Sequence, residues 1–139
     1  GLPAYVYYFD HGYPETEARG LHGFHAAEIA YLFDTMPQSP PNWPKAPDTP
    51  DERALTRAIG EYWTSFAKDA APRAEGAPLW PDYGDSGAVM YFGDAPELRH
   101  TMFDEMYDLI EEDFAARRAA QTLPWNWSVG VAAPLPAKG

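Results

Sequence analysis

Tyr5, Val6, Tyr7, Tyr8 and Phe9 form an unbroken run of aromatic and β-branched residues between Ala4 and Asp10. A strand sends successive side chains to opposite faces, so a strand that is apolar at every position needs cover on both. Such a run suits a strand inside a parallel sheet better than a half-exposed hairpin strand. Whatever fold is assigned must supply neighbours for YVYYF, and no other feature narrows the choice as much.

The rest of the chain offers few neighbours. A polar, Gly-containing connection follows (HGYPETEARG), and then HAAEIAYLF places Ile29, Leu32 and Phe33 at helical spacing. Residues 37–50 hold six prolines, which remove backbone donors and fix φ, so an irregular surface excursion is expected there. Asp48 or Thr49 is placed to cap the next helix, with Pro50 in its first turn. That helix carries Leu55, Ile59, Tyr62, Trp63 and Phe66 on one face, a core-packing stripe. Ala88 to Phe92 reads as a second strand. From Pro96 onward a long helix is expected, with Leu98, Met102, Phe103, Met106, Ile110 and Phe114 as its stripe and Arg117 and Arg118 complementing the dipole near its end. The tail TLPWNWSVGVAAPLPAKG is expected to be irregular. The order is strand, helix, helix, strand, helix, and two strands cannot make a doubly covered sheet. Either the missing strands come from another polypeptide or the pattern conceals some.

Composition excludes several classes of function. A length of 139 residues suits one domain with a real core, and 45% hydrophobic content is incompatible with general disorder. No apolar run approaches the length that spans a membrane. A net charge of −11 repels a phosphate backbone at long range, so no nucleic-acid partner is expected. The absence of cysteine removes disulfides, thiolate metal sites and cysteine nucleophiles.

Three constellations remain as candidates for chemistry. His22, His25 and Glu28 recur at intervals of three and would share one face of a continuous helix, where two imidazoles and a carboxylate could ligate a metal. Gly20 and Gly23 place the helix start after His22, which breaks that alignment, so no metal is expected. The GDSGA stretch at Gly84–Ala88 invites assignment as a serine nucleophile. A nucleophile elbow needs strand, turn, then helix; here the strand follows the serine, and the last glycine of the elbow pattern is Ala88. A turn feeding a strand is the expected reading. Third, a histidine in a loop after a buried parallel strand, just before a helix, can reach a nucleophile at the carboxyl edge of a sheet. His25 occupies such a place, which leaves a catalytic base and an ordinary hydrogen-bonded histidine both open on local grounds.

Four stretches taken together narrow this. YVYYFDH, GFHAAEIAYLFD, LTRAIGEYWTSFAKDAAP and LWPDYGDSGAVMYFGD, in that order, resemble the C-terminal portion of the type B carboxylesterases, over about Ala4 to Phe114. In that family a strand is followed by a variable loop and then by H-[GA]-x-E-[IL]-x-[YF]-[VL]-F, whose histidine is the catalytic triad base. The glutamate three residues on selects between the two histidines. His25 has Glu28 at that distance, whereas His22 has His25, so the "HG" of His22 and Gly23 is a decoy. Ala26 stands where many members have Gly, and Ala30 where Pro is frequent.

The resemblance implies an α/β fold, with residues 1–139 as the C-terminal part of one α/β-hydrolase domain, its last strands and helices, incomplete without an N-terminal polypeptide. It implies a serine carboxylesterase that uses no cofactor, acts on a small-molecule ester and takes its triad base from His25. The nucleophilic serine and the acidic triad member would lie on the N-terminal part of the same enzyme, which is the expected partner and the expected source of the missing strands. The loop from Gly12 to Phe24 would wall part of the substrate pocket, with Leu21 and Phe24 as apolar contacts. The competing expectation is a non-catalytic, acidic binding or adhesion domain of the same fold.

Overall fold

The computed structural model describes residues 2–100, 102, 104–120, 125–126 and 132–133. It consists of two compact units, Gly1–His100 and Thr101–Gly139.

In the first unit, strand β1 (Val6–Phe9) leads through a short helix α1 (Pro14–Ala18) to helix α2 (Ala27–Leu32). A 3₁₀ turn at Met36–Gln38 opens the Pro-rich stretch, and the long helix α3 (Pro50–Asp69) follows it. A single helical turn, α4 (Tyr83–Ser86), then precedes strands β2 (Val89–Phe92) and β3 (Pro96–Arg99). The sheet order is β1-β2-β3. β1 and β2 run parallel, with Val6 opposite Val89 and Phe9 opposite Phe92, so the chain between them must cross over, and α3 makes that crossing.

Local chemistry explains α3. The Thr49 hydroxyl accepts from the Glu52 amide at 3.3 Å, Pro50 occupies the first turn where no donor is needed, and Asp51 and Glu52 face the positive end of the dipole. Its inner face carries Leu55, Ile59 and Tyr62 into a core shared with Tyr31, Trp80, Met90 and Phe92. Trp80 meets Tyr62, Trp63 and Phe92 ring to ring at 5.4–5.8 Å, so the centre of this unit is aromatic.

Two expectations need correction. Pro96–Arg99 forms β3, antiparallel to β2, instead of starting the long helix. Proline in a first position looks like a helix start, but it equally opens an edge strand, where its missing donor costs nothing. Arg99 then lays its guanidinium 3.2 Å from the centre of the Tyr91 ring and pairs with Glu97, which holds the hairpin shut. Leu98 therefore belongs to the sheet and not to a helical stripe. The connection after β1 is also not plain loop, since it contains α1. The Pro-rich stretch is largely exposed; within it Pro44 is buried, and its carbonyl accepts from the Tyr13 hydroxyl at 2.9 Å.

β1 is less covered than its sequence demands. Val6, Tyr7 and Tyr8 are 37–39% exposed, and β1 has β2 as its sole strand partner among the described residues. The strand that reads as central stands here at an open edge.

The second unit contains α5 (Asp104–Ala120), acidic in its first turn and basic in its last, with Arg117 paired to Asp113 one turn back. Within the expected irregular tail, Trp125–Asn126 (β4) and Ala132–Ala133 (β5) pair antiparallel. The other tail residues, like Phe103 of the expected stripe, lie outside the described residues.

Candidate functional site

The segment from Asp10 to Ala27 leaves the carboxyl end of β1 and returns to the same place. The Asp10 amide still donates to Phe92 at 2.9 Å, continuing the sheet by one bond before the chain departs. Thr16 organises the outward arm: its hydroxyl accepts from the Tyr13 amide and donates to the Tyr13 carbonyl, while its own carbonyl accepts from Leu21 at 2.9 Å. The return arm then passes Asp10 at Gly23. His25 and Ala26 form a turn, closed by the Ala27 amide donating to Phe24 at 3.0 Å, and α2 begins.

Ala26 adopts φ 67°, ψ 9°, the left-handed region. That conformation costs a residue with a Cβ about 1–2 kcal/mol, which accounts physically for the frequency of glycine there in the pattern that this stretch resembles. His25 is exposed and makes no hydrogen bond or ion pair to any described residue.

His22 differs. Its Nδ1 lies 2.8 Å from a carboxylate oxygen of Glu17, and Glu17 in turn folds over Gly12, where a Cβ would collide with it. His22 thus closes the loop on itself. Because α2 starts at Ala27, His22, His25 and Glu28 share no helical face, and among the described residues no three His, Asp or Glu side chains are placed to hold a metal. Glu28 sits in the first turn of α2, close enough to β1 that its charge, after burial, helps push the Tyr7 phenol up.

The two apolar residues expected at a pocket wall are placed differently. Leu21 is 42% exposed. Phe24 is half-buried against Trp43, edge to face at 5.2 Å, and so pins the loop to the Pro-rich stretch. A concavity of about 620 Å³ lies elsewhere and is lined by His11, Glu52 and Asp94 but not by His25. The serine of GDSG is engaged: Ser86 donates to the Asp82 carbonyl and accepts from Ala88, as a turn residue does.

One group is marked only weakly in the sequence. Glu52 lies buried in the inner face of α3, its carboxylate 3.1 Å from Nε2 of His11 through both oxygens and accepting from the Tyr31 hydroxyl at 2.8 Å. Since an ionised carboxylate only accepts, Nε2 carries the proton in this contact. Nδ1 of His11 lies 3.4 Å from Asp94, within ion-pair reach but outside hydrogen-bond geometry. Burial first, then the Glu52 bond, raise the Tyr31 phenol far above its ordinary range, so it remains a donor. Glu52 falls in the stripe 52-55-56-59, and a carboxylate inside an apolar stripe was the available clue. At the third position of a capped helix it also passes for an ordinary first-turn acid.

Residues 1–110 match the model of the carboxylesterase family. The chain is 37% identical over 87 residues to the medium-chain fatty acyl-CoA hydrolase precursor of Anas platyrhynchos, covering 60% of this chain and 14% of that one. It is 33% identical over 90 residues to carboxylesterase 5A of Canis lupus familiaris, covering 62% and 16%. The chain therefore spans about a sixth of the length of these relatives. A carboxylesterase structure from Geobacillus stearothermophilus superposes with a TM-score of 0.59 at 24% identity, covering 76% of this chain and 21% of that one. The fold is thus part of an α/β-hydrolase.

Proposed function

Because the chain belongs to the carboxylesterase family, we propose that it is the segment of a serine carboxylesterase that supplies the triad base, His25. The nucleophilic serine and the acidic partner come from an N-terminal part of the same enzyme, which also pairs with the open edge of β1. His25 takes the serine proton as the serine oxygen attacks the ester carbonyl, and gives that proton to the departing alcohol. It then takes a proton from water as the water oxygen attacks the acyl carbonyl, and returns that proton to the serine oxygen as the acid leaves.

One observation carries this reading. At the carboxyl end of two parallel strands, where such folds place their ligands, the His25 imidazole is exposed and unengaged while the neighbouring His22 is paired to Glu17. Leu21 and Phe24 would serve on the pocket side of the loop, Leu21 by direct contact and Phe24 by holding the loop against Trp43.

The test is turnover of a simple aryl ester by the complete enzyme. His25→Ala should lower kcat by about three powers of ten or more, since base and nucleophile act as a unit. It should leave the melting temperature nearly unchanged, because the exposed imidazole makes no hydrogen bond or ion pair among the described residues whose loss would weaken the fold. His22→Ala should retain most activity. The reverse pattern would move the base to His22, and two active variants would leave the non-catalytic binding domain as the better description.

A further inference from the structure

We propose that Glu52, by holding His11 and Tyr31 on one carboxylate, is the positioning residue that sets where His25 stands. The inference rests on the reading of His25 as the base.

The chain that carries His25 hangs between two points. His11 is the second residue after β1, and Tyr31 is the penultimate residue of α2, so the loop and the His25 turn fall between them. Their rings stand perpendicular at 5.4 Å, and both donate to the Glu52 carboxylate. All three side chains are at most 7% exposed. Phe9, the last residue of β1, packs on Tyr31 at 5.5 Å, tying the same point to the sheet.

An apolar contact would hold these two ends together equally well but would let them slide. A shared carboxylate is directional: each donor must point at an oxygen, and an unpaired buried charge is costly, so only one arrangement of β1, α2 and α3 satisfies all three groups. α2 is only six residues long and has no side-chain cap, so its own hydrogen bonds do little to orient it. The orientation of the turn at its head is therefore inherited from Tyr31. A misplacement of about 1 Å at a reacting group costs up to about a hundredfold in rate, which makes this a matter of catalysis and not of folding alone.

The experiment measures kcat, KM and melting temperature for Tyr31→Phe, Glu52→Gln and their double variant in the complete enzyme, with His25→Ala alongside. Tyr31→Phe removes one hydroxyl and keeps the ring. It is expected to lower kcat about tenfold, leave KM within about twofold and shift the melting temperature by only a few degrees. Glu52→Gln should lose at least as much, and the double variant no more than Glu52→Gln alone, because both act through one contact. If Glu52→Gln does not fold, the kcat and KM of Tyr31→Phe decide. Unchanged kcat in Tyr31→Phe, additive losses in the double variant, or a loss that vanishes at temperatures where the variant is fully folded would each overturn the proposal. An inactive His25→Ala beside a fully active Tyr31→Phe refutes the positioning role alone, whereas an active His25→Ala refutes the assignment of the base.

Discussion

Gly23 and Asp10 touch backbone to backbone: a Cβ at Gly23 would lie 2.9 Å from the Asp10 Cα and 3.1 Å from the Phe9 carbonyl oxygen. This is the neck of the loop that begins where β1 ends and returns at His25. Neither neighbour is the movable end of a side chain, so the two arms can be this close only with glycine here. The glycine that makes "HG" a tempting match at His22 is present for this contact.

Gly23→Ala should therefore push the neck apart and displace His25. The expected result is a loss of about tenfold or more in kcat for an aryl ester. Gly60→Ala on α3 is the matched control, since a Cβ there meets only the Leu32 carbonyl at 4.0 Å. It should raise stability by about 0.5–1 kcal/mol without loss of activity. Equal activity in both variants would mean that the neck does not govern the site.

Ala26→Gly should relieve the left-handed strain ahead of α2. Urea unfolding of the complete enzyme is expected to show a gain of about 1 kcal/mol at unchanged m, with kcat within about twofold. A loss of stability would show that the turn leaves this conformation in solution.

Stability should fall at alkaline pH in a way that Tyr62 shapes. Burial pushes its phenol from 10.0 up to about 12. Between those values the unfolded chain has released a proton that the folded chain keeps. This contribution is thus fully present below about pH 10 and is lost as pH rises toward about 12. Tyr62→Phe, which also gives up the bond to the Pro78 carbonyl, should be less stable at pH 8 yet show a shallower decline above pH 10. Thermal melts across that range read the slope directly, and an unchanged slope would remove Tyr62 from the account.

The open edge of β1 predicts how the 139 residues behave alone. Val6, Tyr7 and Tyr8 are partly uncovered, and Phe33 and Leu79 are 67% and 71% exposed. Expressed by itself, the chain should aggregate or melt without cooperativity, and co-expression with the N-terminal part should restore a single transition. A sharp two-state melt of the lone chain would be the contrary result.

Treatment with EDTA should leave hydrolysis unchanged, because among the described residues no cluster of His, Asp and Glu is set to hold a metal. A stoichiometric transition metal in the dialysed enzyme would contradict this.

How much of this was legible varies with distance along the chain. YVYYF, the stripe of α3 and its Thr49 cap all rest on residues within a few positions of one another. Spacing alone carries that information, because a strand repeats every two residues and a helix every 3.6. β3 was misread for the same reason: Pro96 is locally as good a helix start as a strand start, and only its partner β2 decides. The amino-acid sequence by itself determined β1, the cap and stripe of α3, the family pattern and the histidine that matches that pattern. The tertiary structure alone decided that His11, Tyr31 and Glu52 meet on one buried carboxylate, across separations of 21 and 41 residues. Each of the three is unremarked in its local pattern. Folding brings them together, since a buried charge is tolerable only where other segments deliver its donors.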